Sequence, residues 1–210
     1  MNGLSNRLKL DISKIEDLGR ATNGKVQLLS TSGSPINRIS LRLDYQTAPS
    51  SSYPKKIQDT TEVDISILGR YPFVEPAVTI KTPIFHPNVY GTGKICFGTK
   101  WMPSHGMDLL IKRIIKILIF DTTILNKSSP ANVPALKWYE RAIRQYPTYF
   151  PTASFVETQG INNSVVWKSD TNDGKTLVSC DKCSASLRVP AGKTLNITCP
   201  SCGSVFRMAT

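Results

Sequence analysis

The sequence predicts an α+β domain followed by a small unit carrying paired cysteines. Three observations lead there. Apolar residues recur at helical spacing near the N-terminus. Four short alternating stretches follow. Helical spacing then returns in two later segments. With 210 residues, 40% of them hydrophobic and 20% charged, the chain has the composition of a globular protein that buries a real core.

In the first segment Leu4, Leu8, Ile12, Ile15 and Leu18 keep helical spacing, and Gly19 is the expected stop. Residues 25–30, 38–45, 61–68 and 77–81 are the expected strands; in the third, Val63, Ile65 and Ile67 share a face. Consecutive short strands predict an antiparallel meander. Residues 107–120 (MDLLIKRIIKILIF) form a wide apolar stripe with Lys112, Arg113 and Lys116 opposite. A membrane-surface helix has a similar pattern, but a segment following four strands is expected to be a core helix with snorkelling cations. Residues 134–146 predict another amphipathic helix, with Pro134 in its first turn and Pro147 after its end. Residues 152–176 are rich in Ser, Thr, Asn, Gly and Asp and read as a linker that Val165 and Trp167 could pin to a neighbour. The expected organisation is therefore a domain at 1–151, a linker at 152–176 and a cysteine-rich unit at 177–210.

The formal net charge is +11, with 20 basic against 11 acidic residues up to residue 151, so the excess is not a detachable arm. It invites a nucleic-acid or acidic partner but equally supports solubility, and nucleic acid is not the favoured partner. The N-terminal stretch lacks the continuous apolar run of a secretory signal, and no window reaches 18 uninterrupted apolar residues. No membrane association is expected. Five cysteines, an odd number, do not make a secreted disulfide framework; a reducing, cytoplasmic setting is expected.

Cys96 stands apart from the other four. It follows an irregular stretch containing Gly91 and Gly93, with His86 and Asn88 shortly before it. Taken alone, these residues fit two readings. One is a cysteine hydrolase, in which Asn88 would steady a developing oxyanion. The other is a small buried thiol.

The wider pattern of YPFVEPAV, TPIFHPNVY, GKIC and WMP resembles the core signature of the ubiquitin-conjugating enzyme family. Its parts fall at Tyr71-Pro72-Phe73, His86-Pro87-Asn88, Gly93 to Cys96 and Trp101-Met102-Pro103. Downstream, Ser129-Pro130-Ala131-Asn132 and the helix with Trp138 and Tyr139 are similar to the family's loop and following helix. The resemblance implies a UBC-like fold: an N-terminal helix, a four-stranded antiparallel meander and C-terminal helices. It implies that Cys96 accepts a ubiquitin-like protein as a thioester from an activating enzyme and passes it to an amine or a ligase, with no catalytic cofactor. Asn88 would bond the oxyanion or hold the loop that does so. His86 would be structural, its imidazole bonded to nearby backbone. Ser129 would orient and desolvate the incoming lysine; a plain loop or cap serine is the other reading. The resemblance has departures. Only FGTK separates Cys96 from Trp101, Phe97 stands where Leu is common, and residues 121–128 lack the usual Asp-Pro-Asn. These mark a divergent member, similar to those of prokaryotic modification operons. A UBC-fold interaction module without catalysis is the alternative.

Cys180-x₂-Cys183-x₁₅-Cys199-x₂-Cys202 predicts one structural Zn²⁺ held by four thiolates in a closed site, and the flanking turns resemble a zinc ribbon. About thirty residues cannot build a sufficient core alone, so the metal is expected to supply much of the folding energy. Iron takes the same ligand set. The ribbon would recruit a ligase or substrate protein, or bind nucleic acid.

Overall fold

A computed structural model of the chain describes residues 3–98, 100–155, 175–182, 186–190, 192, 194–198 and 202–209. The chain divides into two compact units, Met1–Gly160 and Ile161–Thr210.

The first unit opens with helix α1, Gly3–Ala21. Four antiparallel strands follow in the order β1-β2-β3-β4: β1 Val26–Ser32, β2 Arg38–Leu43, β3 Thr61–Ser66 and β4 Ala77–Ile80. Alternation puts Ile39, Leu41, Leu43, Val63, Ile65, Val78 and Ile80 on the buried face. Helix α2, Met107–Leu118, joins the same core; its Leu110, Ile111, Ile114, Ile115, Ile117 and Leu118 are fully buried. The wide apolar stripe therefore belongs to a core helix. Among the described residues, no helix is long and apolar enough to cross a membrane.

α2 ends on Phe120, whose φ of 60° turns the ring into a second aromatic cluster with Tyr53, Trp138, Tyr139 and Phe150. Helix α3, Val133–Gln145, contributes Trp138 and Tyr139. It is capped by Asn132, whose Oδ1 accepts from the Ala135 N–H at 3.1 Å.

Two expectations need correcting. Gly19 does not stop α1. The helix runs to Ala21 and closes through Asn23 and Gly24, both at positive φ, with the Gly24 N–H bonded to the Gly19 carbonyl. Gly19 is there for proximity: a Cβ on it would stand 2.8 Å from the Val26 carbonyl oxygen. The linker also does not begin at residue 152. The Thr152 N–H bonds the Ile119 carbonyl at 2.9 Å, and Phe155 packs edge-on against Tyr45. The anchors Val165 and Trp167 lie outside the described residues.

Among its described residues the second unit contains two antiparallel hairpins. One joins β5 Lys175–Ser179 to β6 Ser186–Pro190, so its first strand starts two residues before the expected boundary. The other joins β7 Thr194–Thr198 to β8 Val205–Ala209.

One buried carboxylate joins α1 to the rest of the first unit. Asp11 is fully buried in the apolar stripe of α1. It accepts from Arg7 at 2.8 Å, from the Tyr71 hydroxyl at 2.5 Å and from the Met107 N–H, at the start of α2, at 3.2 Å. Arg7 also donates to the Pro103 and His105 carbonyls. Burial and the Asp11 hydrogen bond push the Tyr71 hydroxyl pKa well above its usual value, so it stays a donor. Replacing Asp11 with Ala strands a guanidinium, a phenol and a helix-start N–H. The expected loss is about 3 kcal/mol of unfolding free energy, read as a lowered denaturant midpoint in tryptophan fluorescence.

Candidate functional site

Beyond β4 the chain leaves the sheet, returns antiparallel beside β4 and arrives at Cys96. The approach is tight. Gly93 has φ of 83°, and a Cβ there would stand 2.2 Å from the Ile80 carbonyl oxygen. Lys94 bridges to Thr79, Ile95 to Val89, and the Ile95 N–H bonds the Val78 carbonyl at 3.1 Å. The segment leading into Cys96 is thus tied to the sheet by its backbone. Cys96 itself is partly exposed.

Asn88 lies fully buried beneath it. Its backbone carbonyl accepts from the Cys96 N–H at 2.8 Å. Its side-chain Nδ2 donates to the Cys96 carbonyl at 3.2 Å and to the Ile124 carbonyl at 3.0 Å. Its Oδ1 accepts from the Asn126 N–H at 3.1 Å. One amide therefore joins the cysteine segment to the loop before α3. The neighbouring Pro87 carbonyl accepts from the N–H of Asn132, the α3 cap, at 3.0 Å. Of the two roles weighed for Asn88, the geometry is that of a loop tie, since both amide hydrogens are already engaged.

His86 is also fully buried, its ring 4.4 Å from that of Phe120. Nδ1 accepts from the Asn88 N–H at 2.9 Å, and Nε2 is buried without a hydrogen-bond partner. Burial lowers its pKa from 6.5 to about 3, so the ring is neutral. Neither ring nitrogen bonds Cys96, which removes the Cys–His hydrolase arrangement.

Ser129 is exposed on the loop before α3, its N–H bonded to Asn126 Oδ1 at 3.0 Å. Asn126 is the residue that sequence reasoning missed. It receives the Asn88 tie through its N–H, holds the Ser129 backbone through Oδ1 and lies against Gly98. An asparagine in a loop carries no periodic signal, and only its partners reveal it.

In the second unit, Cys180 follows β5 and Cys202 lies between β7 and β8, in the turns of different hairpins. Their sulfurs stand 3.7 Å apart, and the Ser204 hydroxyl contacts both, at 3.3 and 3.0 Å. Cys183 and Cys199 lie outside the described residues. Among the described residues no group of three or more His, Cys, Asp or Glu side chains comes together.

Known proteins carry similar features. The sequence profile of the family described as "Ubiquitin-conjugating enzyme" matches residues 46–153, just over half of the chain. A "Ubiquitin-conjugating enzyme E2 2" of Aspergillus fumigatus is 35% identical over 80 residues, covering 37% of this chain and 50% of that one. A "Ubiquitin-conjugating enzyme E2" of African swine fever virus is 30% identical over 84 residues, covering 35% and 37%. The chain thus spans half or less of the length of these curated relatives. Among solved structures, a Trypanosoma cruzi chain described as a ubiquitin conjugating enzyme is similar at a TM-score of 0.48 and 21% identity, covering 70% of this chain and 91% of that one. By the profile match, which spans β3, β4, the Cys96 segment and both later helices, the chain belongs to the ubiquitin-conjugating enzyme family.

Proposed function

We propose that the chain accepts a ubiquitin-like protein as a thioester on Cys96, from an activating enzyme, and delivers it to an amine or to a ligase cysteine. The observation that carries this is the Asn88 tie, which holds a partly exposed thiol over a buried, fully bonded amide.

In the first step the Cys96 thiolate attacks the thioester carbonyl carbon of the ubiquitin-like protein's C-terminal glycine. A new sulfur–carbon bond forms and the activating enzyme's cysteine leaves as thiolate. In the second, an amine nitrogen attacks the same carbon, Cys96 leaves and the amine's extra proton passes to solvent. Asn88 positions the thiol rather than binding the oxyanion. His86 is a buried spacer under the loop. Ser129, exposed on the loop before α3, orients the amine and narrows its access to water. A reducing, cytoplasmic compartment keeps the thiol available.

The second unit is proposed to hold one structural Zn²⁺ through Cys180, Cys183, Cys199 and Cys202. Zn–S bonds of about 2.3 Å in a tetrahedron place sulfurs about 3.8 Å apart. The 3.7 Å between Cys180 and Cys202 suits that, and the donor set is all thiolate. Such a closed metal would cross-link the two hairpins and would have no open position for catalysis. The unit would then serve as an adaptor for a ligase or substrate protein.

Three experiments test these readings. Protein isolated from its own host should carry an adduct of ubiquitin-like size that thiol reductant removes, seen by intact mass. Cys96→Ser should carry it as a reductant-stable oxyester. Ser129→Ala should charge normally and discharge to free lysine up to about tenfold more slowly. No adduct on either form, with the activating machinery expressed, would favour a non-catalytic interaction module.

The second concerns pH. Because His86 is held neutral, the unfolded state binds a proton below pH 6.5 that the folded state refuses until about pH 3. Stability from this residue is complete above 6.5 and declines as pH falls, by up to about 1.4 kcal/mol per pH unit. His86→Gln, which keeps an acceptor for the Asn88 N–H, should flatten the dependence of the denaturant midpoint on pH by about one proton.

The third concerns metal. Elemental analysis should give one zinc per chain, and Cys202→Ala should lower it. Chelation should abolish amide protection in residues 175–209 while residues 3–155 keep theirs. Visible absorption of the untreated protein would indicate iron instead.

A further inference from the structure

Cys96 is held on its two sides by different means. Upstream, backbone hydrogen bonds fix it to the sheet and to Asn88. Downstream, the N–H groups of Phe97 and Gly98 make no hydrogen bond among the described residues. Only four residues separate Cys96 from Trp101. Trp101 is itself fixed, its indole N–H bonded to the Pro72 carbonyl at 2.7 Å.

Side chains hold the gap. Phe97 is buried, and the guanidinium carbon of Arg113 stands 4.4 Å over the centre of its ring. Arg113 Nη1 also pairs with Glu75 Oε1 at 3.2 Å; its side chain is 18% exposed and that of Glu75 31%. Arg113 comes from the middle of α2, and Glu75 from the turn that precedes β4. The residue next to the thiol is thus covered by a side chain of α2 that is itself paired to the segment before β4. A guanidinium placed over a ring and shielded from water binds it more strongly than an exposed one does. Glu75 holds one end of that guanidinium through Nη1.

We propose that Arg113 is a positioning residue for Cys96. It acts through Phe97, with Glu75 orienting it, and takes the place of backbone bonding on the downstream side of the thiol. This rests on reading Cys96 as the acyl-accepting nucleophile, but its test needs no partner protein.

The test is the rate at which iodoacetamide alkylates Cys96 in the full chain. Trypsin cuts after Lys94 and Lys100, so the peptide 95–100 reports on this cysteine alone by mass. Arg113→Met keeps the apolar stem and removes the charge; Phe97→Leu keeps bulk and removes the ring. Each should raise the alkylation rate by about threefold or more. The double variant should be no faster than either single one, because both remove the same contact. Arg113→Lys should recover part of the wild-type rate, since an ammonium also binds a ring face. The pH midpoint of alkylation should stay where it is in the wild type. Unchanged rates, additive effects in the double variant, or a shifted midpoint would each overturn the proposal; a shifted midpoint would mean that Arg113 acts on the thiol's charge and not its position. If Arg113→Met does not fold, Arg113→Lys and Phe97→Leu carry the same cycle. A positive result here with no thioester on Cys96 would leave the clamp standing and the proposed activity refuted.

Discussion

A primary amide buried away from water must place two donors and an acceptor on partners, because each unmet group costs about 1–3 kcal/mol. Asn88 satisfies this by bonding the carbonyls of Cys96 and Ile124 and the N–H of Asn126. These three groups belong to two segments that approach each other outside the sheet. Much else follows from that junction. Asn126 is held in place to bond Ser129, Pro87 meets the cap of α3, and the cysteine is presented at the surface over a rigid base. The meander and α2 can be regarded as the support that brings Asn88 under Cys96.

Support of this kind is legible in a sequence because it is periodic. The alternation in 61–68 and the stripe in 107–120 gave strands and a core helix within a few residues of where they lie, since a buried face constrains every second or every third and fourth position. The ends were less legible. Gly19 looked like a stop because glycine commonly follows a helix; here the close approach of Val26 requires it, and the chain turns four residues later. Asp11 was invisible for the opposite reason. It occupies a core position of α1, and a search for apolar spacing passes over a charge whose partners, Tyr71 and Met107, are distant in sequence.

The site divides in the same way. Cys96, Asn88 and His86 stand out in short motifs, because a resemblance records residues whose partners are backbone groups of the motif itself: His86 bonds the Asn88 N–H, and Asn88 bonds the Cys96 carbonyl. Asn126 and Arg113 were not found. Asn126 sits in the loop that departs from the family pattern, and Arg113 reads as one cation on the polar face of α2. Its aliphatic stem hides it from water while its head lies over Phe97, and only tertiary structure shows which ring a snorkelling cation covers.

The neutrality of His86 bears on the chemistry as well as on stability. A hydrolase needs a base near its nucleophile, first to form the thiolate and then to activate the water that clears the acyl group. A carrier needs the reverse: once loaded, its thioester must outlast encounters with solvent until an acceptor arrives. In this protein the imidazole of His86 uses Nδ1 to accept an N–H, keeps Nε2 buried and stays neutral down to about pH 3. Ser129, proposed to meet the acceptor, is a poor base at neutral pH and is exposed to solvent. An amine can then attack through its own nucleophilicity while water receives no assistance from His86. That asymmetry supports the carrier reading over a hydrolytic one, and it arises from the same burial that makes His86 a spacer beneath the loop.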